Sequence, residues 1–219
     1  MGKFTFATSE EGFDNHIETS IRGYENLWGD VLSLSEYFVE DNTNVVDIGC
    51  STGKLLKQMS KQNTFCDCNY VGIEIEQNFY EHLVDTENIS FFKGDVRHFN
   101  FNNCSLVTSI FTLQFIPVKD RIEIIKSIHA GLNRGGAFVF SEKVFSSNPR
   151  MQEMMTFLYY DFKKKTFTAN QILDKEQELR HLLKPNTETE IIDMCKEVGF
   201  SVQSFWRNYN FVGYVAIKE

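Results

Sequence analysis

Apolar residues recur along this chain in short runs, and amphipathic stretches separate most of them. Five of these runs are rich in β-branched or aromatic residues and have the length of strands; they lie at 44–48, 69–73, 89–92, 105–110 and 137–141. Between the last two, Ile122, Ile125 and Ile128 fall on one helical face. This alternation predicts an α/β fold with a parallel, doubly wound sheet and ligands at the carboxyl ends of its strands.

The end of the chain has a different pattern. Residues 187–197 are typical of a helix that Gly199 ends, and 201–207 and 211–217 then alternate as two closing strands. We therefore expect a mostly parallel sheet whose last strand is antiparallel.

Residues 144–185 interrupt the alternation. They contain one stripe of Met and aromatic residues with helical spacing, made of Met151, Met154, Met155, Phe157, Leu158, Tyr159 and Tyr160. A Lys-rich patch at 163–165 and a second helical pattern at 171–183 follow. Because the stretch is too long for an ordinary connection, it predicts a helical insertion that serves as a lid or a dimer arm. Plain core packing is the alternative explanation of the stripe.

Residues 17–39 carry the pattern of one or two amphipathic helices over the ligand crevice, and residues 1–16 are expected to form a loose arm. With 219 residues and no linker or repeat, the chain 1–219 is expected to be a single domain.

Charge and composition bear on the partners, the cellular location and the metal content of the protein. The net charge of −8 disfavours direct nucleic-acid binding. No run of about 18 apolar residues predicts a membrane helix, and the N-terminus lacks a signal-peptide core. A cytoplasmic protein is expected. The five Cys are predicted to be reduced thiols, and the His and Cys spacing predicts no metal site.

The first strand runs into a glycine turn with the pattern D-x-G-x-x-x-G, from Asp47 through Gly49 and Cys50 to Gly53. Glycine lets the backbone turn sharply and approach a ligand, and the following helix directs unpaired N–H groups to the same place. A carboxylate stands where dinucleotide-binding turns have their first glycine. It would repel a pyrophosphate but suits a cation, such as the ammonium or sulfonium of S-adenosylmethionine (SAM).

Two further acids follow the next strands. Glu74 ends the second strand, where an acid is placed to bind a ribose diol, and Asp95 follows the third, where it would meet the adenine. Helix capping is the alternative role for each acid alone. Their order along the chain favours a SAM site.

The chain also resembles the carboxy-S-adenosylmethionine (carboxy-SAM) synthases, and the resemblance covers nearly its whole length. It rests on D-I-G-C-S at 47–51, F-T-L-Q-F at 111–115, G-L-N and G-G-A at 131–137, S-E-K at 141–143, D-F-K at 161–163, Gly23, Tyr24, Asn26, Asn210 and Phe211. The resemblance implies the class I SAM-methyltransferase fold and a homodimer. It also implies conversion of SAM and prephenate to carboxy-SAM, which serves modification of the wobble uridine of transfer RNA.

The same resemblance extends to individual site positions. It adds Tyr24 and Val96 to the cofactor-binding residues and supports Gly49, Glu74 and Asp95; Phe111, which begins F-T-L-Q-F, is expected there as well.

Two positions depart from the family pattern. Ile110 replaces the Asn that precedes F-T-L-Q-F, and Glu176 falls where the family has an Arg that reaches the carboxylate of carboxy-SAM from the neighbouring subunit. Arg180, one turn further along the helix, is a possible substitute. The catalytic residues stay unassigned; the candidates are Tyr24, Tyr159, Tyr160, Glu176 and Arg180.

Three functions fit these patterns. The first is a SAM-dependent methyltransferase for a small molecule, since no D/N-P-P-Y/F motif for base amines follows strand four. The second is carboxy-SAM synthase itself. The third is a non-catalytic SAM-binding partner of another enzyme.

Overall fold

Seven strands form one sheet in the order β3-β2-β1-β4-β5-β7-β6. The computed structural model describes residues 17–219, so the arm predicted at 1–16 lies outside the described residues. The strands are β1 (Asn44–Ile48), β2 (Asn69–Glu74), β3 (Ile89–Lys93), β4 (Cys104–Ile110), β5 (Leu132–Lys143), β6 (Phe200–Asn208) and β7 (Phe211–Lys218).

The pairing of the strands confirms the predicted mixed sheet. Strands β1 to β5 pair in parallel, and β7 pairs antiparallel with both β5 and β6. Because β1 and β4 lie side by side while β2 continues on the far side of β1, the chain reverses its direction of travel between them. A crevice opens at such a point, at the carboxyl ends of the strands.

Helices cover both faces of the sheet. They are α1 (Tyr24–Phe38), α2 (Lys54–Gln62), α3 (Val118–Gly131), α4 (Pro149–Lys163), α5 (Ala169–Leu179) and α6 (Glu188–Val198). Helices α1 and α2 bury Leu27, Val31 and Met59 on one face of the sheet, and α3 and α6 bury Ile125 and Cys195 on the other. The central strands are therefore buried on both faces, which explains their nearly continuous apolar sequence.

The predicted insertion forms α4 and α5. Asn148 caps the start of α4, and Thr168 with Gln171 forms a capping box at the start of α5. Ile172 is the buried residue of α5, whereas Met154 and Phe157 of α4 are about half exposed. The insertion thus attaches to the sheet through few apolar contacts and presents an apolar face to solvent.

Strand β5 begins earlier than the sequence pattern predicts. Leu132 already pairs with Cys104, and an irregularity then adjusts the register before Ala137 pairs with Leu106. Gly135 and Gly136 accommodate the irregularity, and Gly135 takes a left-handed φ of 84°.

Candidate functional site

A crevice of about 630 Å³ opens at the carboxyl ends of β1, β2, β4 and β5. Residues 17–24 and helices α1, α4 and α5 form its other walls. Its position matches the point where the strand order reverses, so the fold itself places a ligand site here.

The glycine turn after β1 forms one wall of the crevice. Gly49 has a left-handed φ of 73°, and a Cβ on it would lie 2.3 Å from the Thr112 hydroxyl oxygen. The backbone N–H groups of Gly49 and Cys50 both donate to the Ile73 carbonyl, at 2.8 and 3.1 Å. Glycine is therefore required here both by backbone conformation and by the close approach of Thr112.

Two buried carboxylates face the crevice. Asp47 accepts a hydrogen bond from the Thr108 hydroxyl at 2.7 Å, and Glu74 accepts from the backbone N–H groups of Ser51 and Glu76 at 2.8 and 2.7 Å. Burial raises the pKa of Asp47 to about 7, and the neighbouring Glu74 adds to that effect. Burial also raises the pKa of Glu74. This pair of acids disfavours an anionic ligand and favours a cationic one.

Aromatic rings extend from the glycine turn to the insertion. The ring centroids of Tyr24 and Phe111 are 6.4 Å apart, those of Phe111 and Phe211 5.6 Å, and those of Phe211 and Tyr159 5.3 Å. Phe111 has a left-handed φ of 57°, which is rare for a side chain of this size. Aromatic faces attract a cation, so this wall suits a sulfonium.

Lysines meet Glu176 where the insertion covers the crevice. The ammonium of Lys143 lies 3.8 Å from the Glu176 carboxylate. The ammonium groups of Lys143 and Lys163 lie 5.1 and 5.3 Å from the Tyr159 ring centroid. Burial lowers the pKa of both lysines and brings that of Lys175 to about 8. The charge of Glu176 is therefore balanced by neighbouring cations rather than standing alone.

The crevice brings together many, but not all, of the residues proposed from the sequence. Those that line it are Tyr24, Asp47, Gly49, Cys50, Glu74, Phe111, Tyr159 and Glu176, with Ile110 beside them. Those that do not line it are Gly53, Asp95, Val96, Tyr160 and Arg180.

Asp95 is engaged elsewhere. It caps the short helical turn after β3, and its carboxylate accepts from Arg97 Nε at 3.0 and 3.1 Å. Hydrogen bonding to Arg97 lowers the pKa of Asp95. Its predicted role at the adenine stays a prediction.

Sequence reasoning did not propose Trp28, Lys143, Lys163 and Lys175 as site residues, although all four line the crevice. Lys143 and Lys163 each close one of the family motifs, S-E-K and D-F-K, which was a usable signal. Lys175 carried no such signal, because its position depends on how the insertion folds back.

Two kinds of feature are absent from residues 17–219. They contain no group of three or more His, Cys, Asp or Glu side chains placed to bind a metal ion. Within the same residues, no helix is both long and apolar enough to span a membrane.

Comparison with known proteins identifies the family. Residues 45–136 match the family model described as a methyltransferase domain. The carboxy-S-adenosyl-L-methionine synthase of Staphylococcus epidermidis is 39% identical, covering 99% of this chain and 97% of the relative. The chain belongs to the carboxy-S-adenosyl-L-methionine synthase family. The synthase of Shewanella oneidensis is 33% identical, covering 100% of this chain and 94% of the relative.

Solved structures agree on the fold. Human N-acetylserotonin methyltransferase in complex with SAM aligns with a TM-score of 0.58 at 16% identity, over 87% of this chain and 51% of that chain. A SAM-dependent methyltransferase from Mesorhizobium loti aligns with a TM-score of 0.61 at 14% identity, over 88% of this chain and 98% of that chain. The family and the fold make this protein a SAM-dependent transferase, which confirms the cofactor predicted from the glycine turn.

Proposed function

We propose that this member of the carboxy-SAM synthase family transfers the methyl group of SAM to a small molecule bound under the insertion. The observation that carries the proposal is the pair formed by Glu176 and Lys143 inside the crevice. SAM would lie with its sulfonium among Tyr24, Phe111 and Phe211 and its ribose against Glu74.

The pair matters because a carboxymethyl group on the sulfonium needs a cation to receive it. Lys143 already has a carboxylate partner, so carboxy-SAM would have to displace Glu176 or leave two acids close together. Like charges about 4 Å apart in partly shielded surroundings cost on the order of several kcal/mol. A methyl sulfonium has no such requirement. Ile110, at the crevice in place of the family's Asn, removes a polar partner from the same region.

The second substrate under this proposal is a small anionic molecule. Lys163 is almost fully buried, and Lys143 and Lys175 lie beside it at the crevice wall. Three ammonium groups against Glu176 and the more exposed Glu178 leave a net positive charge on this wall. A buried cation is stabilised by an anion, so an acceptor with a carboxylate or phosphate fits best.

Carboxy-SAM synthesis is the second candidate, and two observations favour it. The relatives that match the full chain carry that name. The lysines beside Glu176 offer a carboxylate an alternative to the family's Arg. Under this candidate the product would serve tRNA modification without the protein binding the nucleic acid.

Mass spectrometry of the product separates the two candidates. The purified protein is incubated with SAM alone and with SAM plus prephenate, and carboxy-SAM is measured. We expect no carboxy-SAM and tighter binding of SAM than of carboxy-SAM in paired calorimetric titrations. Robust, prephenate-dependent formation of carboxy-SAM would establish the second candidate. Tyr37→Phe, an exposed change on α1, serves as the matched control.

We also propose a cytoplasmic homodimer. The exposed apolar face of α4 supports the dimer, since a monomer would leave Met151, Met154 and Phe157 in water. All five cysteines are free thiols, which fits a reducing compartment.

A further inference from the structure

A buried arginine lies behind the crevice and contacts two parts of the chain that are far apart in sequence. Arg121, near the start of α3, is 2% exposed. Its guanidinium donates to the carbonyls of Ile116 at 3.0 Å, Gln114 at 3.1 Å and Lys184 at 2.7 Å, and to the Asn186 side chain. One side chain therefore connects the segment after β4 with the end of the insertion.

Gln114 connects the same arginine to the crevice. Its side chain donates to the Phe111 carbonyl at 3.1 Å and accepts from the Lys143 backbone N–H at 2.9 Å. Its own carbonyl accepts from the Lys184 N–H at 3.0 Å. Phe111, Gln114 and Lys143 all line the crevice, so their positions depend on the contacts that Arg121 makes behind it.

Both ends of the insertion meet at this point. The N–H of Phe145, just after β5, donates to the Asn186 carbonyl at 3.0 Å, and Phe145 also forms a bridge with Thr187. Helices α4 and α5 lie between these two anchored ends. A displacement of the segment around Gln114 would therefore alter the contacts at both ends of the insertion.

Glu142, on β5, is a buried carboxyl whose charge and that of Arg121 influence each other. It is 4% exposed, and its Oε1 atom has no hydrogen-bond partner. Burial raises the pKa of Glu142 to about 8 and lowers the pKa of Arg121, and each charge opposes the effect of burial on the other. The four acceptors of Arg121 are neutral, and the charges of Glu142 and Glu190 oppose the effect of burial on its pKa.

We propose that Arg121 is a positioning residue that couples the end of the insertion to the residues lining the SAM crevice. Binding of SAM orders the Phe111 segment, and the guanidinium transmits this ordering to residues 184–187. The coupling concerns SAM binding itself and is independent of which group the enzyme transfers.

Amide exchange of the intact protein with and without SAM tests the coupling. We expect SAM to slow exchange at 111–116 and also at 184–187, which do not line the crevice. In Arg121→Lys, protection at 184–187 should be lost and SAM affinity should fall roughly tenfold, because an ammonium cannot reach all four acceptors. Lys126→Met is the matched control, since Lys126 lies exposed on the same helix and pairs only with Glu123 among the contacts of the described residues.

The outcomes separate coupling from plain stabilisation. Unchanged SAM affinity in Arg121→Lys, with protection at 184–187 retained, would overturn the proposal. Faster exchange spread evenly over β6 and β7 as well would also overturn it, because that pattern reports only a less stable fold.

Discussion

Asp47 is only partly ionised at neutral pH in the free protein, whereas a bound cation favours its ionised form. Its burial, the Thr108 hydrogen bond and the neighbouring Glu74 together place its pKa at about 7. In an unfolded chain the same carboxyl would ionise near 3.8. Between pH 3.8 and about pH 7 the folded protein therefore binds a proton that the unfolded chain releases. The free energy of unfolding falls as pH rises through this range.

Binding of SAM should lower the pKa of Asp47, because the positive charge of SAM favours the ionised carboxylate. Below pH 7 the site must lose a proton to bind SAM, so we expect affinity to rise from about pH 5.5 and to level off above about pH 7, by up to tenfold per unit. Calorimetry across this range measures the slope. Asp47→Asn should bind SAM more weakly and show a flatter profile; an equal slope in both proteins would assign the titration to another group.

Glu74 offers a more direct test of the ligand's orientation. Its two carboxylate oxygens accept the backbone N–H groups of Ser51 and Glu76, which fixes the carboxylate at the place where we expect the ribose. Hydrogen bonds to a charged group contribute about 1.5–3 kcal/mol, so Glu74→Ala should weaken SAM binding by at least tenfold. Glu76→Ala, which also lines the crevice, is the control and should bind within a few-fold of the parent. Equal affinity of Glu74→Ala and the parent would remove the main support for this placement.

At the scale of elements, local patterns decided what could be predicted. Five strand signals and the helical insertion follow from residue periodicity, which depends only on neighbours in sequence. The sheet contains the strands, and α4 and α5 are the helices of the insertion. Pairing of Lys143 with Glu176 was not predictable in this way. It depends on the path by which the chain returns to the sheet after α5, where Arg121 contacts Lys184 and Asn186.

Two further features depend on how elements are placed in space, which residue periodicity does not give. They are the N-terminal helices and the contacts of Asp95. Residues 17–39 fit one or two helices, and the structure has α1 following Gly23, which takes a left-handed φ of 76°. Asp95 was expected at the adenine from its place after β3. Arg97 forms ion pairs with both Asp95 and Asp120, and Asp120 lies on α3, which the sequence does not place in space.

Helix α5 carries the residue that separates the two candidate functions. Replacing Glu176 by Arg would add a cation beside Lys143 and remove its carboxylate partner. We expect Glu176→Arg to bind carboxy-SAM more tightly than the parent does, while SAM binding changes little, because only the carboxylated ligand gains a charge-assisted hydrogen bond. Paired titrations of the two ligands measure the change in preference.

Glu178→Arg is the matched control, since Glu178 lies on the same helix and lines the same crevice but is exposed. A similar gain in both variants would show that total charge, rather than the position of residue 176, sets the preference. A gain that also requires Ile110→Asn would locate the second half of the carboxylate site at the end of β4.

At the scale of the whole molecule, α4 presents an apolar face that residues 17–219 leave uncovered. Met151, Met154 and Phe157 are 42%, 45% and 57% exposed and form a contiguous surface. Surfaces of this kind on a single chain usually mark an interface, and two copies related by a two-fold axis would bury it. We therefore expect a dimer in light scattering at micromolar concentration.

A charge placed on this face should dissociate the dimer. Phe157→Glu would put a carboxylate into an apolar interface, which costs several kcal/mol without a partner. We expect this variant to scatter as a monomer while its circular dichroism stays that of the parent. Tyr37→Glu is the control, because Tyr37 is 83% exposed and lies on α1 rather than on α4. Dissociation by both variants, or a parent that is already a monomer, would show that α4 does not form the interface.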